Sequence, residues 1–265
     1  MKKIMLTTMA AAVVMAAEAI NGTINLESGG SKTGEIKWSA RSKGYVVTQR
    51  KGNSMIDEEV AAGDVASLDI VKPAALDQAI ALVQKGQGAS AVGTLQGIVK
   101  EYAHLQWDQV AGRYLAEAYL AAGKTDQALD ACQGVIKGDP TAAYKGDLAP
   151  AYWECLLTLG QKPRLEAALA KAAASGDRFS SGAAFIKRGD IVWKDGNESA
   201  EAAKKALADG YLRAVLMYRD QPAIQPEALY KAALCFEKMG HSGRADQYRG
   251  ELRKSYPTST WAAKL

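Results

Sequence analysis

Histidine and cysteine are scarce in this chain. Its 265 residues include two histidines, His104 and His241, and three cysteines, Cys132, Cys155 and Cys235. Histidine is the commonest general base and a usual metal ligand, so two isolated copies, both expected in solvated turns, offer little to acid–base or metal chemistry. No HExxH run, paired-cysteine metal spacing or GxSxG elbow occurs. Gly240-His241-Ser242-Gly243 is one residue short of that elbow and follows no strand pattern. A surplus of one charge is missing too. Net charge is +4, and without the first 19 residues it is +3, from 31 basic and 28 acidic residues. So even a balance leaves no electrostatic footprint for nucleic acid. The expectation is a chain that is not an enzyme, needs no cofactor or metal and does not bind nucleic acid.

Long apolar runs are also lacking. Ile4 to Ala17 is an apolar stretch of 14 residues, shorter than the roughly 20 that a membrane-spanning helix needs. It follows the basic pair Lys2-Lys3 and leads into Ala17-Glu18-Ala19, a small-x-small cleavage pattern. Residues 1–19 therefore read as a secretory signal peptide, with an uncleaved anchor as the weaker alternative. The mature chain is expected to start near Ile20, to have no transmembrane span and to work in the periplasm or another extracytoplasmic compartment. Peripheral association with the envelope stays open. No cysteine lies near the expected cut, so no lipid anchor is expected there. The three cysteines sit beside apolar residues in helical patterns and read as small core hydrophobes. A Cys132–Cys155 bridge between neighbouring helical units remains an alternative.

Two glycine-rich stretches look like nucleotide loops without being them. Gly29-Gly30-Ser31-Lys32-Thr33-Gly34 has Ser31 where a phosphate loop needs glycine, and no helix follows. A hairpin turn is the better reading. Gly86-Gln87-Gly88 with Gly93 lies between two helical patterns with no strand ahead of it, so close helix packing accounts for it better.

What is present divides in two. Residues 20–72 alternate apolar and polar positions in short runs: Ile24 and Leu26, Ile36 and Trp38, Tyr45 to Thr48, Met55-Ile56, and Val65 to Val71. Gly29-Gly30, Ser42 to Gly44, Lys51 to Asn53 and Ala62 to Asp64 break them. Period-two runs between such turns mean strands in hairpins, here a small barrel-like or curled sheet, loosely SH3-like. From residue 73 to 265 the pattern is helical.

In that second part, turn glycines recur at Gly86, Gly123, Gly160, Gly196 and Gly240, at intervals of 37, 37, 36 and 44 residues. The clearest unit is Trp107 to Pro140. In it Leu115, Ala116, Tyr119, Gly123, Ala128, Val135 and Pro140 fall at positions 7, 8, 11, 15, 20, 27 and 32 of a repeat that begins at Gln109. Small Ala116 and Ala128 let two helices approach, Gly123 caps the first helix and Pro140 stops the second. The last unit repeats the scheme with Leu229, Ala233, Phe236, Gly240, Ala245, Leu252 and Pro257. The others are looser. The first lacks the large aromatic, the third has Trp153 where a small residue is expected, and the fourth drifts out of register after Gly196 into a long second helix, about 198–218.

These residues resemble the tetratricopeptide (TPR) repeat, whose unit is about 34 residues. The closing Tyr256-Pro257-Thr258-Ser259-Thr260-Trp261-Ala262 resembles the TPR flavour of bacterial envelope proteins. The expected architecture is mainly α: a TPR-like helical-hairpin solenoid of about five helix pairs, residues 73–265, preceded by the small β module. A plain antiparallel bundle is the alternative, but a bundle has no reason to repeat every 37 residues.

The resemblance implies a concave face lined mainly by the first helix of each pair. Its groove-facing positions map to Val110, Arg113, Glu117 and Leu120 in the second unit and Glu154 and Leu157 in the third. The fourth gives Ile186, Asp190 and Trp193, and the fifth Glu227, Tyr230 and Leu234. Arginine and large aromatics often anchor interfaces, although Trp193 and Tyr230 also suit packing between repeats, and Arg113 and Glu117 are spaced to pair with each other. The implied function is an exported, non-enzymatic scaffold that holds a peptide or protein of the cell envelope. The alternative is a polysaccharide or peptidoglycan-binding module that uses the β unit around Trp38 and Tyr45, with the repeats as spacer.

Overall fold

Alternation in the N-terminal segment is realised as five antiparallel strands: β1 (Asn21–Leu26), β2 (Ser31–Ser39), β3 (Gly44–Lys51), β4 (Ser54–Ala61) and β5 (Val65–Ile70). This is a computed structural model, and it describes residues 20–265. The expected signal peptide, residues 1–19, lies outside the described residues. The chain divides into two compact units, one ending at Val71 and the other starting at Lys72.

The first unit is a meander with one long return, in the order β4-β3-β2-β1-β5. β4 and β5 are its two edges, so the sheet is open and not closed as a barrel. Ile24, Ile36 and Val47 are fully buried and Tyr45, Val60 and Ile70 nearly so, one side chain from each strand and two, Tyr45 and Val47, on the same face of β3. Gly29 and Gly30 both have positive φ, 86° and 85°, and turn β1 into β2, as a hairpin and not a phosphate loop requires. Trp38 pairs across the ladder with Tyr45, and their rings meet edge to face at 5.1 Å. Tyr45 is buried and Trp38 half-buried.

The second unit is a TPR-like solenoid of five helical hairpins. They are α1 (Leu76–Gln84) with α2 (Gly88–Glu101), α3 (Trp107–Ala121) with α4 (Thr125–Gly138), and α5 (Ala149–Thr158) with α6 (Lys162–Ala174). α7 (Arg178–Asp195) pairs with α8 (Ala200–Ala206), which runs through a π-helical turn, Leu207–Tyr211, into α9 (Leu212–Met217). α10 (Gln225–Lys238) and α11 (Ser242–Ser255) close the array. Ala116 and Ala128 have no exposed surface, which is the close approach their size permits. Trp153 is also fully buried, at a position where the repeat pattern asks for a small residue. It fits because its indole Nε1 donates to the Ala143 carbonyl at 2.9 Å.

All five first helices end in the same way. A backbone N–H two residues past the cap donates back over the last turn: Gln87 to Leu82 O (2.8 Å), Lys124 to Tyr119 O (2.9 Å), Gln161 to Leu156 O (2.8 Å), Glu198 to Trp193 O (3.0 Å) and His241 to Phe236 O (2.9 Å). This is the Schellman closure, and it needs a left-handed residue just before the donor. Gly86, Gly123, Gly160 and Gly240 supply it. In the fourth hairpin Gly196 does not. Its φ is −89°, and Asn197 takes the left-handed position at φ 48°. Gly196 is small for another reason: a Cβ there would lie 2.3 Å from that of Ala202. With Asn197 as the cap, the third interval becomes 37 residues, like the first two.

His104 also departs from expectation. It is half-buried with φ 66°, and its ring lies so close to Gly138 that a Cβ there would meet Cε1 at 2.9 Å. Its backbone N–H donates to the Asp108 carboxylate at 2.8 Å at the start of α3. His241 is exposed in its turn.

Candidate functional site

Hairpins stacked in one direction place their first helices side by side, so α3, α5, α7 and α10 form one wall of the solenoid. Two adjoining hollows, of about 470 and 480 Å³, run along it and share Glu154, Lys187, Glu227 and Trp261. Arg113, Glu117 and Leu120 of α3 and Ile186 of α7 line one hollow. Leu157 of α5, Asp190 and Trp193 of α7, and Tyr230 and Leu234 of α10 line the other. Glu154 and Glu227 belong to both. Val110 does not join them. It packs instead against the core of the first hairpin, with Leu95, Ile98 and Leu115.

A chain of ion pairs ties three of these helices together. Lys187 lies 3.0 Å from Asp190 one turn on and also bonds Glu154 of α5. Lys231 of α10 reaches Asp190 at 2.7 Å and Glu227 at 2.6 Å. Tyr211 donates to Asp190 Oδ1 at 2.9 Å. Burial works against the charge on Asp190, but Lys187 and Lys231 outweigh it and hold the carboxyl below its ordinary range. Burial likewise opposes the charge on Lys187, and Asp190, Glu154 and Glu227 overcome it, so its pKa rises. The Tyr211 hydroxyl is raised, first by burial and then by the Asp190 charge beside it. Arg113 and Glu117 do pair, at 2.7 Å, as their spacing on α3 suggests.

Aromatic rings make up much of the remaining wall. Tyr230 and Trp261 stack at 5.3 Å with a 43° tilt. The Lys264 ammonium stands over the Trp261 ring at 3.7 Å, and that of Lys231 is 5.6 Å from its centroid. Sequence reasoning missed Lys187, Lys231, Tyr211 and Trp261. The first two carry a readable signal, since they stand three and four residues from Asp190 and Glu227 on helical patterns. Trp261 follows the last hairpin, and only the fold of the C-terminal segment brings it to the groove.

Two segments of the chain, residues 111–142 and 227–259, match the tetratricopeptide repeat family model. Those two segments are tetratricopeptide repeats. The two matched segments are the second and fifth units, whose residues follow the repeat pattern most closely. Among solved structures, the crystal structure of MamA is 17% identical, with a TM-score of 0.39, and covers 74% of this chain and 100% of its own. A kinesin light chain with nearly identical TPR-like repeats from Podosopora anserina is 15% identical, with a TM-score of 0.39, over 68% of this chain and 91% of its own. No curated protein sequence matches the chain.

Other candidate chemistry in the repeats is buried. The three cysteines are free and lie in the core. Interaction between the Cys132 and Cys155 thiols, on α4 and α5, raises Cys132 and lowers Cys155. Burial pushes Cys235, under the groove, up to about 12. Among the described residues no three His, Cys, Asp or Glu side chains group as metal ligands, and no helix is long and apolar enough to cross a membrane.

Proposed function

We propose that this protein is an exported, non-enzymatic adaptor that holds a protein or peptide segment of the cell envelope in the groove of its TPR-like solenoid. The observation that carries this reading is the convergence of side chains from four successive hairpins on one continuous, partly aromatic groove. Tetratricopeptide repeats are protein-interaction scaffolds, and a multi-helix groove of this kind suits an extended or helical segment. The groups with shifted pKa values support binding over acid–base catalysis. Asp190 is held low while Lys187 and Tyr211 are held high, so each is moved away from neutrality, where a general acid or base works best. Export rests on the sequence of residues 1–19, and the envelope rests on that segment together with the closing Tyr-Pro-x-Ser-x-x-Ala run.

The test is site-specific photo-crosslinking in cells. A crosslinker at Leu234, in the groove, is expected to capture one reproducible envelope protein, and a crosslinker at Gln247, exposed on α11, is not. Fractionation is expected to place the chain outside the cytoplasm only when residues 1–19 are present. Equal capture from both positions, or turnover of an envelope substrate by the purified protein, would overturn the reading.

A further inference from the structure

The charges of the groove are layered. The side chains of Lys187 and Lys231 are 10% and 17% exposed, while those of Glu154 and Glu227 are 44% and 30% exposed. The bases are therefore structural and face inward, and the carboxylates face the solvent. They also outnumber the bases. Two lysines answer three carboxylates, those of Glu154, Asp190 and Glu227. Arg113 is shared between Glu117 at 2.7 Å and Asp147 at 3.9 Å. The side chains that line the two hollows are thus four carboxylates and three bases, one negative charge in excess before Lys264 is counted, in a protein whose net charge is +4.

The aromatic part of the groove has the same preference. A ring face attracts cations, and here one is already in place: Lys264 stands 3.7 Å from the Trp261 centroid and 6.0 Å from that of Tyr230. The chain's own ammonium thus shows what that surface accepts. Leu157 and Leu234 line the same hollow and supply an apolar area beside it.

We propose that the groove selects a protein segment carrying an arginine or lysine next to an apolar residue. The cation lies among Glu154, Glu227 and the Trp261 ring, and the apolar side chain lies on Leu157 and Leu234. This rests on the groove being a protein-binding surface, and it adds the charge of what is bound. An acidic segment would meet the solvent-facing carboxylates of Glu154 and Glu227, and a purely apolar one would strip water from them and offer no new partner in exchange.

The experiment uses the purified chain and three fluorescent peptides that differ only in the central residue of a Leu-x-Leu core: arginine, norleucine or glutamate. The arginine peptide is expected to bind about tenfold more tightly than the norleucine peptide, the worth of one well-placed charge contact, and the glutamate peptide more weakly still. Glu154→Gln is expected to weaken the arginine peptide about tenfold and leave the norleucine peptide unchanged. Lys264→Gln, which removes the tethered competitor, is expected to strengthen the arginine peptide about threefold. Thermal melts keep loss of folding apart from loss of binding. Equal or tighter binding of the norleucine or glutamate peptide would overturn the assignment, and so would absence of arginine-peptide binding. So would an arginine-peptide affinity indifferent to both substitutions in folded protein. If any of these holds while the Leu234 crosslinker still captures its partner, the charge preference falls and the adaptor reading stands. If that crosslinker captures nothing, the adaptor reading itself falls.

Discussion

Asp190 accepts a 2.9 Å hydrogen bond from Tyr211, and Tyr211 reaches it from the last residue of a π-helical turn that interrupts the long second helix of the fourth hairpin. Gly189, beside Asp190, leaves the room for that ring. A Cβ at Gly189 would stand 2.5 Å from Tyr211 Cε1, and one at Gly210 would stand 2.6 Å from the Gly189 backbone. Two glycines and one extra residue in a turn thus bring the hydroxyl onto the carboxylate at the centre of the ion-pair chain.

The first prediction concerns that carboxylate. Asp190→Asn keeps an acceptor for Tyr211 but takes the shared negative charge from Lys187 and Lys231, which are both well covered. It is expected to cost about 3 kcal/mol, a fall in Tm of about 6–12 °C for a unit of this size. Thermal melts followed by circular dichroism measure it.

The pH dependence follows from the same groups. The folded pKa of Asp190 is depressed, so its contribution is present above the ordinary carboxylate pKa, about 4, and is lost as pH falls through the lower folded value. The folded pKa of Lys187 is raised, so its contribution is complete below about 10.4 and is lost as pH rises beyond it. The raised Cys235 and Cys132 thiols act earlier, because the unfolded thiols ionise from about pH 8.5 while the folded ones stay protonated. Tm is therefore expected to be flat between about pH 5 and pH 8 and to fall on both sides, with a shallower acid limb in Asp190→Asn.

Gly189→Ala is expected to cost about 1–3 kcal/mol, because the new methyl meets a ring that has nowhere to go. Gly93→Ala, inside α2, is the control. A Cβ there meets nothing, so it is expected to stabilise by about 0.5–1 kcal/mol. Urea unfolding of the two variants separates packing from helix propensity.

At the hairpin caps, Gly123→Ala places a methyl on a residue at φ 71° and is expected to cost about 1 kcal/mol. Asn197→Gly, in the fourth hairpin, is expected to gain about 0.5 kcal/mol. Melting temperatures that move the other way would refute the shared Schellman closure.

The thiols give a chemical check. Cys132, Cys155 and Cys235 are free and buried. A thiol reagent is expected to label none of them in the native protein and all three in guanidinium. One reactive thiol after unfolding would instead reveal a bridge.

Much of this was legible in advance. Gly86, Gly123, Gly160 and Gly240 punctuate the chain because a left-handed cap costs least at glycine. The fourth cap was misread because Asn197 tolerates the same conformation and Gly196, one residue earlier, is there for packing. The groove positions came from the resemblance to the repeat, and the aligned first helices turn most of the matching residues one way. Val110, on the first turn of α3, faces the core of the preceding hairpin instead. The π turn left no compositional trace, since one surplus residue among alanines and leucines looks like more helix. In the β unit, alternation set which side chains are buried, but whether the sheet closes depends on pairing between β4 and β5, which no local pattern encodes.

The free edge of that sheet has a further consequence. β4 presents Asp57, Glu58 and Glu59 in succession, directly after exposed Met55 and Ile56. An unpaired strand with apolar side chains templates another strand unless charge repels it. Lys32 already neutralises Glu58, so Asp57 and Glu59 carry the repulsion; protonating them leaves the apolar pair in place, and in acid this edge is where copies of the chain would begin to aggregate.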